Sequence, residues 1–354
     1  MPGPGGNCWT TPTSSACSWA KCPRKSTGWW RPRTTKRPSM PEPRLRRTLL
    51  MTPGNREDRL RKAATYAADA LVYDLEDGVP PGQKARAREC VAAVLAERAS
   101  NGTERCVRIN PLQSGLGAED LAALPLDRID SIMVPKVESA DALRDIDAWL
   151  ARSGADRGRQ RPIELIALIE TPRGVLRALD IADATPRTSA LFFGSGDYTS
   201  ALGAALDAAT LQYPRCVIAA AAAAAGIQAI DAAFFLDVKD AQAARQDALT
   251  AKALGYAGKV VFHPNQIAAV NDAFSPTADE IARARRIVQA YEDQARRGHG
   301  TGVADGMFVA VDLVPPARRL LAIAEMLHLA PAAPAAVAPS DRPAAPRPSD
   351  MDLS

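Results

Sequence analysis

Histidine is scarce: the 354 residues hold three, His263, His299 and His328. They are too few and too scattered for a zinc site built on imidazole. Aromatic residues make up only 5% and do not interleave with a basic stripe, which argues against a nucleic-acid partner. No apolar run nears the roughly 18 residues that cross a bilayer; the longest is Cys216–Ala225, so no membrane partner is expected. The six cysteines do not make a disulfide scaffold in a chain this long. Cys8, Cys17 and Cys22 lack both CxxC spacing and a nearby histidine, which excludes a metal knuckle. Acid is missing from residues 1–40, where seven of the 44 basic residues lie. The rest of the chain carries 37 basic against 40 acidic residues, so the formal +4 is a basic extension on a slightly acidic body.

Residues 1–43 have no hydrophobic period and are dense in Pro, Gly, Ser and Thr. They read as a disordered extension, with Met40 a natural start and a targeting peptide the competing reading. Residues 330–354, Ala- and Pro-rich, read as a disordered tail. Length alone allows two domains or one barrel. With 47% apolar residues the body between these ends can bury a sizeable core.

Within the body, short apolar runs alternate with longer stretches of helical period. The strand-like runs are Thr48–Thr52, Ala70–Leu75, Arg105–Ile109, Ser131–Val137, Glu164–Ile169, Ala190–Phe193, Ile227–Ala232 and Lys259–Phe262. Most are continuous rather than alternating, as in parallel strands covered on both faces. Helices are expected over Arg56–Ala68, Gly82–Arg98, Ala140–Ala151, Gly174–Ile181, Leu211–Ala225 and Ala241–Ala253, with Gly226 as a stop. Eight such units in about 220 residues predict a (β/α)8 TIM barrel over 44–270. A doubly wound sheet is the alternative, but Thr52–Asn55 is not a Gly-rich phosphate loop. A C-terminal helical appendage over 271–329 would hold Ala278–Arg296, a Gly-rich turn at Gly298–Gly306 and Pro316–Leu329.

Chemistry in such a barrel sits at the C-terminal ends of the strands. Here those ends carry Asp74, Glu76 and Asp77; Arg108 and Asn110; Lys136; Glu170; Gly196 and Asp197; Asp231; and His263. Carboxylates with almost no His or Cys suit Mg2+ or Mn2+. Glu170 and Asp197, on consecutive strands, can converge on one ion that keeps positions open for water or substrate. Arg108 and Lys136 supply positive charge for an anionic substrate or an enolate. The competing reading of Glu170 is an ion pair with Arg108 or Arg173. His263 reads as a structural turn rather than a general base. Asp231 reads as support for a substrate-side loop or as a cap on the next helix.

These stretches in order include RRTLLMTPGN (46–55), DLEDGVPPGQKARAR (74–88), VRIN (107–110), MVPKVES (133–139), LIALIETPRGV (165–175), LFFGSGDY (191–198) and GYAGKVVFHPNQIAAVN (255–271). Together they resemble the citrate lyase beta subunit-like proteins of the HpcH/HpaI aldolase superfamily, relatives of malyl-CoA and citramalyl-CoA lyases. The resemblance implies a Mg2+-dependent carbon–carbon lyase acting on an acyl-CoA thioester. The partner product would be a small keto acid of the oxaloacetate, glyoxylate or pyruvate class. It implies Glu170 and Asp197 as metal ligands and Arg108 as substrate and enolate clamp. Glu76 and Asp77 would order metal-bound water and Arg108. The amides of Gly196 and Asp197 would hold the keto-acid carboxylate. Basic residues around the first strand, with Lys84 and Arg88, would be weaker candidates for the CoA phosphates. A cytoplasmic homo-oligomer, a trimer or a multiple, is expected. One departure stands out: family members carry GKMIDKP before the last helix, and its Asp position is Ala310 here, with Asp312 two residues on. Two other readings stay open: an aldolase on free keto acids, and an acyl-CoA-binding subunit without turnover.

Overall fold

The structure, a computed structural model, describes residues 44–97, 102–234, 236–304 and 306–329. The ends expected to be disordered, 1–43 and 330–354, lie outside these residues. Eight parallel strands close into a barrel in chain order. They are β1 (Thr48–Pro53), β2 (Ala70–Asp74), β3 (Glu104–Arg108), β4 (Ser131–Val134), β5 (Glu164–Ile169), β6 (Thr188–Phe193), β7 (Gln228–Asp231) and β8 (Gly258–Val261). The ring between them is α1 (Glu57–Ala63), α2 (Lys84–Ala96), α3 (Leu116–Ala123), α4 (Ala140–Ser153), α5 (Pro172–Leu176), α6 (Ala178–Ala182), α7 (Ser195–Leu202), α8 (Ala208–Ala225) and α9 (Ala241–Ala253). α10 (Asn265–Phe274) packs on α9, β1 and β8 and completes the ring. The division expected at residues 270 and 271 therefore falls inside α10.

Beyond the ring lie α11 (Ala278–Arg296), the hairpin of β9 (Gly302–Ala304) and β10 (Met307–Val309), and α12 (Val314–Met326). Here the Gly-rich stretch forms a hairpin rather than only a turn, with Val303 opposite Phe308. α11 and α12 meet through Ala284, Ile287, Val309 and Ala317. α11 begins with a capping box, Thr277 and Glu280 each satisfying the other's backbone N–H. Among the described residues no helix is long and apolar enough to cross a membrane.

Side-chain alternation sorts the strands into two cores. Leu49, Val72, Cys106, Met133, Ile166 and Phe192 belong to the cluster inside the barrel. Their neighbours Leu50, Leu71, Val107, Ile132, Leu165 and Leu191 pack outward against the helices. Burial on both sides is why the strand sequences read as continuous apolar runs.

The barrel floor is polar. Arg46 is 1% exposed and bonds Glu104 at 2.7 and 2.8 Å, Glu164 at 2.6 Å, Ser189 at 3.0 Å and Gln228 at 3.1 Å. Arg44 bonds Glu164 and Asp130, and Arg47 bonds Asp69. These arginines precede β1, at the end of the barrel opposite the strand C-termini, so they are excluded from the substrate phosphates. A second buried cluster lies between barrel and ring. Asp231 on β7 bonds Arg215 of α8 at 2.8 and 3.0 Å and also meets Lys259 of β8; both cations also meet Asp247 of α9. Asp231 is thus neither a loop support nor a helix cap, but one of four mutually compensating charges, three of them buried and Asp247 half-buried.

Several element boundaries differ from the sequence reading for local reasons. β4 stops at Val134 because Pro135 has no N–H to give the ladder. Lys136 follows in the left-handed region, φ 51°. α8 starts at Ala208 because Asp207 caps the N–H of Thr210, and it ends at Gly226, φ 69°. The single helix expected over 174–181 is two short ones, broken at Arg177.

Candidate active site

The inward parity of the strands runs out to the rim, ending on the last residue of β2 and of β3 and one past the end of β5. Asp74, Arg108 and Glu170 continue the inward sets Ala70–Val72, Glu104–Cys106 and Ile166–Leu168. All three are nearly buried, at 2%, 9% and 3% exposure.

Arg108 Nε and Nη2 each donate to Asp74 at 2.7 Å. Its Nη1 lies 3.0 Å from Glu76 Oε2, and Lys136 Nζ lies 2.9 Å from Glu76 Oε1. Neither Glu76 oxygen gains an aligned hydrogen bond from these cations. Burial raises the Glu76 carboxyl above its ordinary range, against the opposing pull of Arg108 and Lys136. Asp77 is exposed at the rim and, among the described residues, pairs with Lys136 at 3.4 Å. Asp74, rather than Asp77, is the acid that grips Arg108. The signal that finds it in sequence is parity: Asp74 alternates with Ala70 and Val72.

Lys136 links the two halves of the site. Its backbone N–H donates to Glu170 Oε1 at 2.8 Å while its ammonium faces Glu76. The left-handed conformation turns that N–H toward Glu170. Burial, together with the neighbouring Asp197 and Glu76 carboxylates, pushes the Glu170 carboxyl up to about 9. Among the described residues no ion pair joins Glu170 to Arg108 or Arg173; Arg173 lies 3.6 Å from Glu138 instead. A Cβ on Gly194 would sit 2.6 Å from Glu170 Cβ and 3.0 Å from its Oε2. Glycine at the end of β6 therefore makes the cradle in which the Glu170 carboxylate rests.

Gly196 and Asp197 are the second and third residues of α7. Their backbone N–H groups belong to the first turn, which has no helical acceptors of its own. A cavity of about 700 Å³ runs from Glu170, Asp197 and Lys136 past Gln113 to Arg173 and Arg177.

The donor set fits a hard divalent cation. Glu170 is buried and Asp197, in the first turn of α7, is exposed beside it, and both line the cavity where a cation can reach them. No group of three or more His, Cys, Asp or Glu side chains converges among the described residues. That excludes a closed protein cage but suits Mg2+, which takes one or two carboxylates and leaves the remaining positions to water and substrate.

Other expected residues fall elsewhere. Lys84 Nζ donates to the carbonyls of Leu75 and Glu76 at 2.8 and 2.7 Å. Arg88 pairs with Asp120 and Glu119. Both brace the β2 and β3 loops. His263 Nδ1 accepts the N–H of Asn265 at 3.2 Å and turns the chain into α10, the structural role. Ala310 precedes a short 3-10 turn, and Asp312 within that turn is exposed.

Known proteins resemble this chain. The profile of the HpcH/HpaI aldolase/citrate lyase family matches residues 47–264. The mitochondrial citramalyl-CoA lyase of Homo sapiens is 32% identical over 79% of this chain and 85% of its own. The citrate lyase subunit beta of Escherichia coli K12 is 35% identical over 80% of this chain and 94% of its own. The crystal structure of CitE from Mycobacterium tuberculosis with magnesium, acetoacetate and coenzyme A is 31% identical. It superposes with a TM-score of 0.63 over 79% of this chain and 98% of that one. A closed parallel barrel, a pair of carboxylates on adjacent strand ends and this extent of identity lead to one conclusion: the chain belongs to the HpcH/HpaI aldolase/citrate lyase family.

Proposed function

We propose that this protein is a Mg2+-dependent carbon–carbon lyase. Its substrate would be a 3-hydroxyacyl-CoA thioester of the citryl, malyl or citramalyl type, cleaved to a keto acid and an acyl-CoA, or formed from them by Claisen condensation. The observation that carries this reading is the convergence of Glu170 and Asp197 beside buried Arg108 at one end of the barrel. Relatives named citramalyl-CoA lyase and citrate lyase subunit beta support it, as do structures of a relative with magnesium and coenzyme A or oxaloacetate.

Glu170 and Asp197 would hold the Mg2+, with Lys136 N–H fixing Glu170. The ion supplies Lewis-acid polarisation of the substrate hydroxyl and neighbouring carboxylate. The amides of Gly196 and Asp197 would hold the keto-acid carboxylate at the start of α7. The bond between the second and third carbons breaks as the hydroxyl loses its proton and becomes a carbonyl. The bond's electron pair passes to the thioester as an enolate, whose charge Arg108 faces. Glu76 and Lys136 complete the ion-pair chain around Arg108, with Asp77 at its outer edge. Protonation of the enolate releases the acyl-CoA.

Ala310 favours a second reading, an acyl-CoA-binding subunit without turnover, because the family's acid is replaced there by a side chain that cannot carry a proton. The reading also includes a catalytic barrel that α10 completes with a helical appendage after it, homo-oligomerisation as a trimer or a multiple, and a cytoplasmic location. The test incubates the purified chain with citramalyl-CoA, malyl-CoA and citryl-CoA, with Mg2+ or with EDTA. Keto acid should appear only with Mg2+ and not in Glu170→Ala. Turnover indifferent to metal would overturn the lyase reading. Tight acyl-CoA binding with no turnover would establish the second one.

A further inference from the structure

Asp74 is the last residue of β2 and is 2% exposed. Its carboxylate accepts four hydrogen bonds. Oδ1 takes Arg108 Nε at 2.7 Å and the N–H of Glu76 at 2.8 Å; Oδ2 takes Arg108 Nη2 at 2.7 Å and the N–H of Gly78 at 2.9 Å. Four is about the acceptor capacity of a carboxylate. Asp74 therefore has nothing left to offer a metal or a substrate. Everything it holds belongs to the site: the guanidinium of Arg108 and the loop that carries Glu76.

The loop is shaped around this one side chain. A Cβ on Gly78 would lie 2.3 Å from Asp74 Oδ2, so only glycine lets the loop close on the carboxylate. Lys84 Nζ and Asn110 Nδ2 pin the Leu75 carbonyl from outside, each at 2.8 Å. On the other side, a guanidinium has five N–H donors in a fixed plane. Among the described residues, Asp74 takes one on Nε and one on Nη2, and Glu76 faces Nη1. The donors left over are one on each terminal nitrogen, fixed in direction by the bidentate grip.

We infer that Asp74, seated by Gly78, is the positioning residue that aims the free edge of Arg108 at the reacting thioester. The inference rests on the lyase reading and assigns Asp74 no contact with substrate.

The test is a double-mutant cycle in the full chain with Mg2+, using Asp74→Asn, Arg108→Lys and both together. Asp74→Asn keeps the shape but puts an amide donor or a neutral oxygen against Arg108. It should lower kcat on the order of 100-fold, the scale of a misaimed catalytic group, while KM stays within about threefold. The double variant should be no worse than Arg108→Lys alone, and calorimetric Mg2+ affinity should be intact in all three. A kcat for Asp74→Asn within about twofold of wild type, or additive losses in the double variant, would overturn the inference. If Asp74→Asn does not fold, Gly78→Ala decides, since it moves the carboxylate without changing a charge. Reduced kcat with intact Mg2+ binding supports the role, and unchanged kcat overturns it. A wild type inert on every thioester removes the lyase reading instead. The same cycle read on Mg2+-dependent oxaloacetate affinity, expected about tenfold weaker in Asp74→Asn, then still judges Asp74.

Discussion

Gly194 shows how a single atom sets the site. Its missing side chain leaves room for Glu170, whose Cβ and Oε2 would lie 2.6 and 3.0 Å from an added methyl. Gly194→Ala should therefore weaken Mg2+ on the order of tenfold, the usual cost of disturbing a ligand's support, although both proposed ligands remain. Calorimetry reads this directly, and an unchanged affinity would show that Glu170 does not depend on the cradle. At this scale the sequence was legible for the charged residues and silent on their pairing. Glu76, Arg108, Lys136, Glu170 and Asp197 all meet where the strand ends predicted. That Arg108 would choose Asp74 over Asp77 depended on how the loop after β2 folds back, and no spacing rule states that.

Among the elements, β4 is the informative one. Its sequence, SIMVPKV, reads as a strand of seven residues, yet the ladder ends after four. Pro135 removes a donor, and Lys136 then turns into the left-handed region, where a lysine is strained by about 1 kcal/mol. The strain is offset by what it delivers, a backbone N–H on Glu170 and an ammonium on Glu76. Lys136→Gly should be more stable than Lys136→Ala by about 1 kcal/mol in urea titrations, because glycine alone accepts that φ freely. Both should lose activity, since both lose the ammonium. Equal stabilities would mean that position 136 is unstrained. Helices α3, α7 and α10 were not expected from the sequence. Their short apolar period is hidden by motif residues such as those of GSGD, which serve the site and the helix start together.

Among the described residues the barrel carries charge at both ends of an apolar interior. Glu164 in the floor lies below its ordinary 4.5: burial raises it, and Arg46 and Arg44 more than reverse this. Asp247, in the cluster outside β7 and β8, lies below its ordinary 3.8: burial opposes, and Lys259 and Arg215 prevail. A carboxyl whose folded value is depressed contributes stability that is complete above its unfolded value and lost as pH falls through the folded one. The contribution of these two groups should then be flat between roughly pH 7 and 5 and decline below about 4. It is superposed on the opposite trend of Glu170, whose raised carboxyl makes stability fall as pH rises from about 5 toward 9. Urea titrations across that range test it, and a profile still flat at about pH 3 would exclude these pairs as contributors.

The sequence by itself determined the strand order, the barrel and the polar rim, because continuous apolar runs and helical stretches alternate in a way few other folds accommodate. It determined the residue types at each strand end, and with them the hard-oxygen character of the site. Only the tertiary structure decided which charges pair off in buried clusters and which gather at the strand-end cavity. Arg46, Lys84, Arg88 and Asp231 look as available in sequence as Arg108 and Asp197. The fold consumes the first four in buried pairs and bracing bonds away from the cavity, holds Arg108 at the strand-end rim between Asp74 and Glu76, and leaves Asp197 lining the cavity. The physical reason is that a buried charge must find its partner in space, and barrel closure brings together strands that the chain keeps far apart.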